Sequence, residues 1–190
     1  MTTNRLEAFS DGVLAIVITI MVLELKAPHD VSLEALIPEL PIFASYLFSF
    51  IYIGIYWNNH HHLFQIAQKV SGRILWANLH LLFWLSLIPF TTSWLGENHI
   101  AEVPVALYGF NLLMSAIAYF ILQTAILKHH GEDFVLRKAV GKDIKGKISL
   151  VLYIVGLSLS FVSTWLALSI YVLVAIIWLI PDRRIEAIMT

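Results

Sequence analysis

The sequence contains no cysteine, which excludes disulfide bonds, thiolate metal ligands and thiol catalysis. Charged residues are also scarce at 13% of the 190 residues, against about 25% in a soluble domain. The net charge of −1 provides no general attraction to nucleic acid, so we expect no nucleic-acid partner. Glu7 and Asp11 interrupt the first apolar run, and we therefore expect no cleaved secretory signal.

Apolar residues are abundant instead, at 59% of the chain, and the mean hydropathy is +0.80. This composition indicates an integral membrane protein, and apolar runs of about 20 residues indicate helical spans. We predict an all-α fold with one transmembrane domain over 1–190. Its six transmembrane helices are predicted at about 5–25, 41–61, 73–95, 103–127, 148–163 and 166–181.

Two of these segments need a further assumption. Pro89 lies inside the third span and is expected to kink it. The last apolar run, 148–181, is long for one span and short for two. We interpret it as two short helices that turn near Ser163 and Thr164, and the alternative is one tilted span with a buried stub. Between the first two spans, Val31–Leu40 is predicted as a short interfacial helix with Ser32 as its cap.

The basic residues determine the predicted orientation. Eleven of the twelve Lys and Arg residues fall in the termini and in the loops that six spans place on one side, and Lys26 falls on the other. Because cytoplasmic loops carry the excess of basic residues, both termini are predicted to be cytoplasmic. The expected location is the cell inner membrane, where membrane lipids surround the protein.

The first span, from Arg5 to Leu25, carries several polar residues that are costly in a membrane. At about 100° per residue, one face of this helix is apolar with a single hydroxyl, and Asp11 points roughly the other way. That face, which we call the stripe, consists of Gly12, Ile16, Thr19, Ile20 and Leu23. Such a stripe usually faces lipid or neighbouring helices, in which case Thr19 bonds back to its own helix.

The orientation places polar residues of the first three spans at one depth, near the cytoplasmic side. Ser10 and Asp11 are expected to bond to His80, Asn78 or the 58–61 cluster, with Arg5 as a further partner and Trp76 nearby. This network either fixes the first helix or relays protons, because histidine titrates near neutral pH. Adjacent histidines on a helix point about 100° apart, so His60–His62 are interpreted as interfacial residues and no metal site is predicted.

Several motifs resemble those of the transmembrane protein 175 potassium-channel family. The first span reads Arg5-x-x-x-Phe-Ser-Asp-Gly followed by Ala-Ile-x-x-Thr19 and Leu-Glu-Leu25. The second ends with Tyr56-Trp-x-x-His-His61, and the third contains Asn78-Leu-His and Leu-Ile-Pro-Phe-Thr91. These motifs cover about the first 95 residues, and a single six-span unit is similar to the bacterial members.

The resemblance implies a tetrameric potassium-selective leak channel, with the first helix lining the pore and no glycine-rich carbonyl filter. This differs from the usual potassium-channel pore fold. It assigns a hydrophobic constriction to Ile16, with Ile20 and Leu23 as further apolar layers, and it associates Thr19 with selectivity. It assigns the bracing of the pore helix to a network that includes Arg5, Ser10 and Asp11. The predicted depth adds Trp76, Asn78 and His80 to this network. No cofactor is implied beyond permeant potassium.

Two other classes of protein are alternatives to a channel. A proton-coupled secondary transporter would use the Asp11 and His80 network, but it calls for an internal repeat and broken helices, and only Pro89 suggests a break. A membrane enzyme would need a convergent set of catalytic groups. The histidines and carboxylates lie at predicted helix ends, so we expect no enzyme.

Overall fold

A computed structural model describes residues 3–67, 69–130 and 143–179. Within these ranges the chain is helical with short connections, and a 3₁₀ helix at Leu33–Glu39 precedes the second long helix. The prediction of an all-helical membrane protein is confirmed. The α-helices are α1 (Thr3–Leu23), α2 (Leu40–Ile66), α3 (Gly72–Ser86), α4 (Ile88–Glu97), α5 (Glu102–His130), α6 (Ile144–Leu159) and α7 (Thr164–Leu179).

Four segments of the described chain are long and apolar enough to cross a membrane. They are Thr3–Leu23, Leu33–Ile66, Gly72–Glu97 and Glu102–His130, and Thr164–Leu179 is a shorter apolar helix. The helix breaks between α3 and α4 at Leu87, two residues before Pro89. A four-residue turn, 160–163, separates α6 from α7. The basic loop residues 131–142 and the tail from 180 onward lie outside the described residues.

Two local predictions differ from the structure. Ser32 precedes the 3₁₀ helix but its side chain does not cap it, because the hydroxyl donates to Asp30 at 3.1 Å instead. This bond, with the Ser32 backbone N–H, lowers the pKa of the Asp30 carboxyl. The second helix also continues to Ile66, about a turn beyond its predicted end at 61, so His60 lies inside it.

Two groups of helices share α3 and α4. α1 packs against α2, α3 and α4, while α5 packs against α3, α4, α6 and α7. The core contains large side chains that carry hydroxyls, including the fully buried Tyr52 and Tyr171. The Tyr52 hydroxyl donates to the Tyr171 main-chain carbonyl at 2.5 Å, and the Tyr153 hydroxyl donates to Tyr52 at 3.2 Å. These bonds satisfy buried polar atoms where no solvent can reach them.

Two glycines create the space for the Tyr171 ring between α5, α6 and α7. A Cβ atom on Gly109 would overlap the Tyr171 hydroxyl, and one on Gly156 would lie 2.5 Å from the Tyr171 Cε1 atom. Because interiors are close-packed, neither position has room for a methyl group. The two glycines therefore allow the Tyr171 ring to lie between the final hairpin and α5.

Gly109→Ala should lower the thermal unfolding temperature of the purified protein in detergent. The added methyl group overlaps a buried ring, and overpacking of this kind costs about 1–3 kcal/mol. Gly54→Ala is the matched control, because a Cβ atom there meets nothing within 4 Å. Equal unfolding temperatures for the two variants would contradict this account of the packing.

Candidate functional site

The two sides of α1 have opposite environments within the chain. One side is buried against α2, α3 and α4, and the other is exposed. The buried side consists of Leu6, Ser10, Leu14, Val17 and Met21. Every residue of the stripe is exposed, and Ile16 retains 58% of its accessible surface. The periodicity of the helix therefore places the stripe on the outer surface of the bundle.

Thr19 is the one hydroxyl on the stripe, and its own helix holds it. Its Oγ1 lies 2.9 Å from the Ile16 carbonyl oxygen and 3.0 Å from that of Ala15. Because the hydroxyl hydrogen is directed to the backbone, the oxygen lone pairs remain available on the exposed side. The side chain can therefore accept a hydrogen bond from water or approach a cation there.

An open groove of about 610 Å³ runs beside the stripe. Ile16, Ile20 and other α1 residues form one wall, and the end of α3 and the start of α4 form the other. The Ser93 hydroxyl of α4 donates to the Glu24 carboxylate at 3.0 Å. The groove is therefore apolar along most of its length and has one polar link between its walls.

A buried chain of hydrogen bonds fixes α1 near its N-terminus. The Asn78 amide donates to the Ser10 hydroxyl oxygen at 2.9 Å, and its carbonyl oxygen lies 2.8 Å from His60 Nε2. The Ser10 hydroxyl itself donates to the Leu6 carbonyl at 2.9 Å. All three polar side chains are 0–1% exposed, so α1, α2 and α3 meet at this point with their polar groups turned inward. Rotation of α1 about its axis would break the hydrogen bond between Ser10 and Asn78.

Two further links join α1 to α2 at the margin of the buried side. The Trp57 indole N–H donates to Asp11 at 3.0 Å, and His61 Nδ1 lies 2.6 Å from the Glu7 carboxylate. The Trp57 and His61 rings are stacked with centroids 6.0 Å apart. Both carboxylates of the first helix therefore have a ring N–H partner on α2.

The structure brings together some of the residues assigned to the bracing network and not others. Ser10 and Asn78 are bonded directly, and Asp11 bonds to Trp57 rather than to the expected partners. His80 accepts a hydrogen bond from Trp84 of its own helix at 2.9 Å. Asp11 and His80 thus have different tryptophan partners and are not joined to each other.

The other two members of the predicted network lie on the surface. Trp76 is 75% exposed, and Arg5 is exposed without an ion pair among the described residues. Contacts among the described residues of a single chain do not link either residue to the first three helices' polar network. Their role in bracing the first helix therefore stays a prediction.

The interpretation of the histidines as interfacial is wrong for His60, which is 1% exposed. The reason is that His60 lies inside α2, on the side that faces Asn78 of α3. Sequence reasoning also missed the pairing of Glu7 with His61. The available signal was spacing, because Glu7 and Asp11 are one turn apart, as are Trp57 and His61. In the described ranges, no three histidine or carboxylate side chains group as metal ligands.

Comparisons with known proteins agree with this architecture. The family model described as endosomal/lysosomal potassium channel TMEM175 matches residues 5–89. A potassium channel of Chryseobacterium is 60% identical over 186 residues, covering 98% of this chain and 97% of that protein. The crystal structure of a lysosomal potassium-selective channel TMEM175 homolog from Chamaesiphon minutus superposes with a TM-score of 0.81. It is 32% identical and covers 95% of this chain and 97% of that one.

An animal relative is more distant and much longer. The endosomal/lysosomal proton channel TMEM175 of the mouse is 27% identical over 123 residues, which are 61% of this chain and 24% of that protein. The bacterial relatives, by contrast, match over nearly their whole lengths with identities above the level expected for a shared fold alone. The chain therefore belongs to the TMEM175 channel family.

Proposed function

We propose that the protein is a potassium-permeable leak channel whose pore is lined by the stripe on α1. The observation that carries the proposal is the opposite placement of the two sides of α1. The buried Ser10–Asn78–His60 chain holds one side inward, and the stripe is left exposed at Ile16, Ile20 and Leu23. The bacterial relatives named as potassium channels support the same function.

A single chain cannot enclose a pore with one exposed helix, so the proposal requires several copies around an axis. Four copies in a symmetric ring place four Ile16 side chains face to face, with Ile20 and Leu23 as wider apolar layers outward. A ring of apolar side chains can close a channel by excluding water. The homotetramer, the pore position of α1 and the constriction are parts of this one proposal, and the permeant ion is potassium.

The hydroxyl of Thr19 is proposed to contribute to selectivity. Its hydrogen is bonded within α1, so its lone pairs face the side on which a permeating cation passes. Rings of oriented oxygen dipoles are a recognised way to replace part of an ion's hydration shell. The outer loops are acidic, at Asp30, Glu34, Glu39 and Glu97, which raises the local cation concentration at that mouth.

We further propose the inner membrane as the location, with both termini in the cytoplasm. The support is the distribution of Lys and Arg between the two sides of the predicted spans. The transporter alternative loses its support because Asp11 and His80 are not joined. A catalytic role is not proposed, since the histidines His60, His61 and His80 are all bonded to structural partners.

Ile16→Asn should increase potassium flux from liposomes that contain the purified protein. An amide in place of each isoleucine keeps water in the constriction and removes the barrier to ions. The measurement is potassium efflux, with sodium efflux recorded in parallel for the wild-type protein and the variant. Wild-type flux should favour potassium over sodium.

Ile176→Asn is the matched control for this experiment. Ile176 lies on α7 and is 52% exposed, close to the 58% of Ile16, but it is not on the stripe. This control should leave potassium flux at the wild-type level. Equal flux from both variants, with folded protein in the liposomes, would show that α1 does not line the pore.

Asn78→Ala should destabilise the folded protein and weaken its assembly. The substitution removes the donor to the Ser10 hydroxyl oxygen and leaves the His60 ring without a partner in the core. A buried unsatisfied polar group costs about 1–3 kcal/mol. Asn58→Ala is the control, because Asn58 is half-buried and makes no hydrogen bond within the described residues. Unfolding temperature and oligomeric state in detergent measure the effect, and an unchanged Asn78→Ala protein would refute the anchoring role.

A further inference from the structure

The break between α3 and α4 removes two hydrogen bonds from the middle of an apolar segment. In a continuous helix the Ile88 N–H would bond to the Trp84 carbonyl, four residues earlier. Pro89 has no N–H, so the Leu85 carbonyl also lacks its usual donor. The backbone instead tightens at Leu87, whose N–H bonds to Trp84 and Leu85. Such a site bends a helix in a defined place.

A buried side chain from α5 enters this break. With its amide in the orientation that satisfies both neighbours, Asn111 donates to the Trp84 carbonyl at 3.0 Å and accepts from the Ile88 N–H at 3.3 Å. Asn111 is 2% exposed, so water cannot replace it. One amide therefore bridges the two backbone groups that a continuous helix would join directly.

The break lies beside the stripe. Ser86 and Pro89 form one wall of the groove that has Ile16 and Ile20 on its other wall. Beyond the break, the Ser93 hydroxyl of α4 donates to Glu24, the residue that directly follows α1. Movement of α4 about the break is thus connected to the outer end of α1, and the open groove leaves space for that movement.

We propose that the α3–α4 break is a hinge of the channel and that Asn111 is the positioning residue that holds its angle. The hinge sets the position of α4, and the Ser93–Glu24 bond transmits that position to the outer half of α1. Asn111 touches no permeating ion and acts through α4. The inference rests on the proposed function, because it assigns a gating role to movement of the α1 stripe.

Asn111→Leu tests the hinge with a side chain of the same branched shape that cannot bridge the two backbone groups. We expect potassium flux to rise by roughly two- to thirty-fold, the range of coupling effects at positions remote from a site. Pro89→Ala should lower the flux, since the new N–H can bond to the Leu85 carbonyl and stiffen the bend.

Ser115→Ala is the matched control for removing a buried polar group from α5. Ser115 lies one turn beyond Asn111, is fully buried, and its hydroxyl has no partner within the described residues. This variant should conduct like the wild-type protein. Equal flux from Asn111→Leu and Ser115→Ala, both correctly assembled, would overturn the proposal.

A second measurement reads the hinge without ion flux. The chain has no cysteine, so spin labels at Asn98→Cys and Val162→Cys report the distance from the end of α4 to the α6–α7 turn within one subunit. Labelled subunits are diluted with unlabelled protein. The distance distribution should broaden in the Asn111→Leu background and stay unchanged with Ser115→Ala.

The two measurements separate the hinge from the proposed function. If neither the wild-type protein nor Ile16→Asn conducts potassium, the proposed function fails, while the spin-label distances still decide whether the break is a hinge. If Asn111→Leu does not fold, Pro89→Ala decides instead. A change in both its flux and its distance distribution supports the hinge, and wild-type values for both reject it.

Discussion

The structure depends on three buried polar side chains, Ser10, Asn78 and His60, which are hydrogen-bonded to one another. Each side chain is hydrogen-bonded to the next, and these bonds join α1, α2 and α3 at a single point. Within a membrane an unsatisfied polar group costs several kcal/mol, so this arrangement permits one rotation of α1 and excludes the others. The exposed stripe is the consequence of that choice.

Apolar burial alone cannot orient this helix. Leu14, Val17 and Met21 on the inner side and Ile16 and Ile20 on the outer side are equally suited to lipid or to protein. Packing fixes the helices against each other where small residues allow close approach, as Gly109 and Gly156 do around Tyr171. Polar contacts then determine which side of α1 turns inward. Because polar contacts hold the inner side of α1, its apolar outer side remains available for assembly.

Sequence periodicity was sufficient to predict the stripe at Ile16, Thr19 and Ile20. The apolar runs predicted the order of the helices, and Pro89 predicted the break between α3 and α4. Depth alone suggested that Ser10 and Asn78 lie at one level. Depth did not predict the partner of Asp11. Successive side chains on a helix point about 100° apart, and Asp11 therefore lies at the margin of the buried side, next to Trp57. The bridge made by Asn111 could not be predicted either, since it depends on how α5 crosses the break left by Pro89.

Cadmium block of a single-cysteine variant tests most directly whether the stripe faces the axis of an assembly. Ile20→Cys places one thiol per subunit on the stripe, in a protein that otherwise has none. Several thiolates around an axis bind a soft divalent metal tightly, whereas a lone thiol facing lipid does not. Micromolar-range cadmium should block potassium flux through Ile20→Cys and spare both the wild-type protein and Val172→Cys on α7. Unblocked flux through a conducting Ile20→Cys protein would contradict the account.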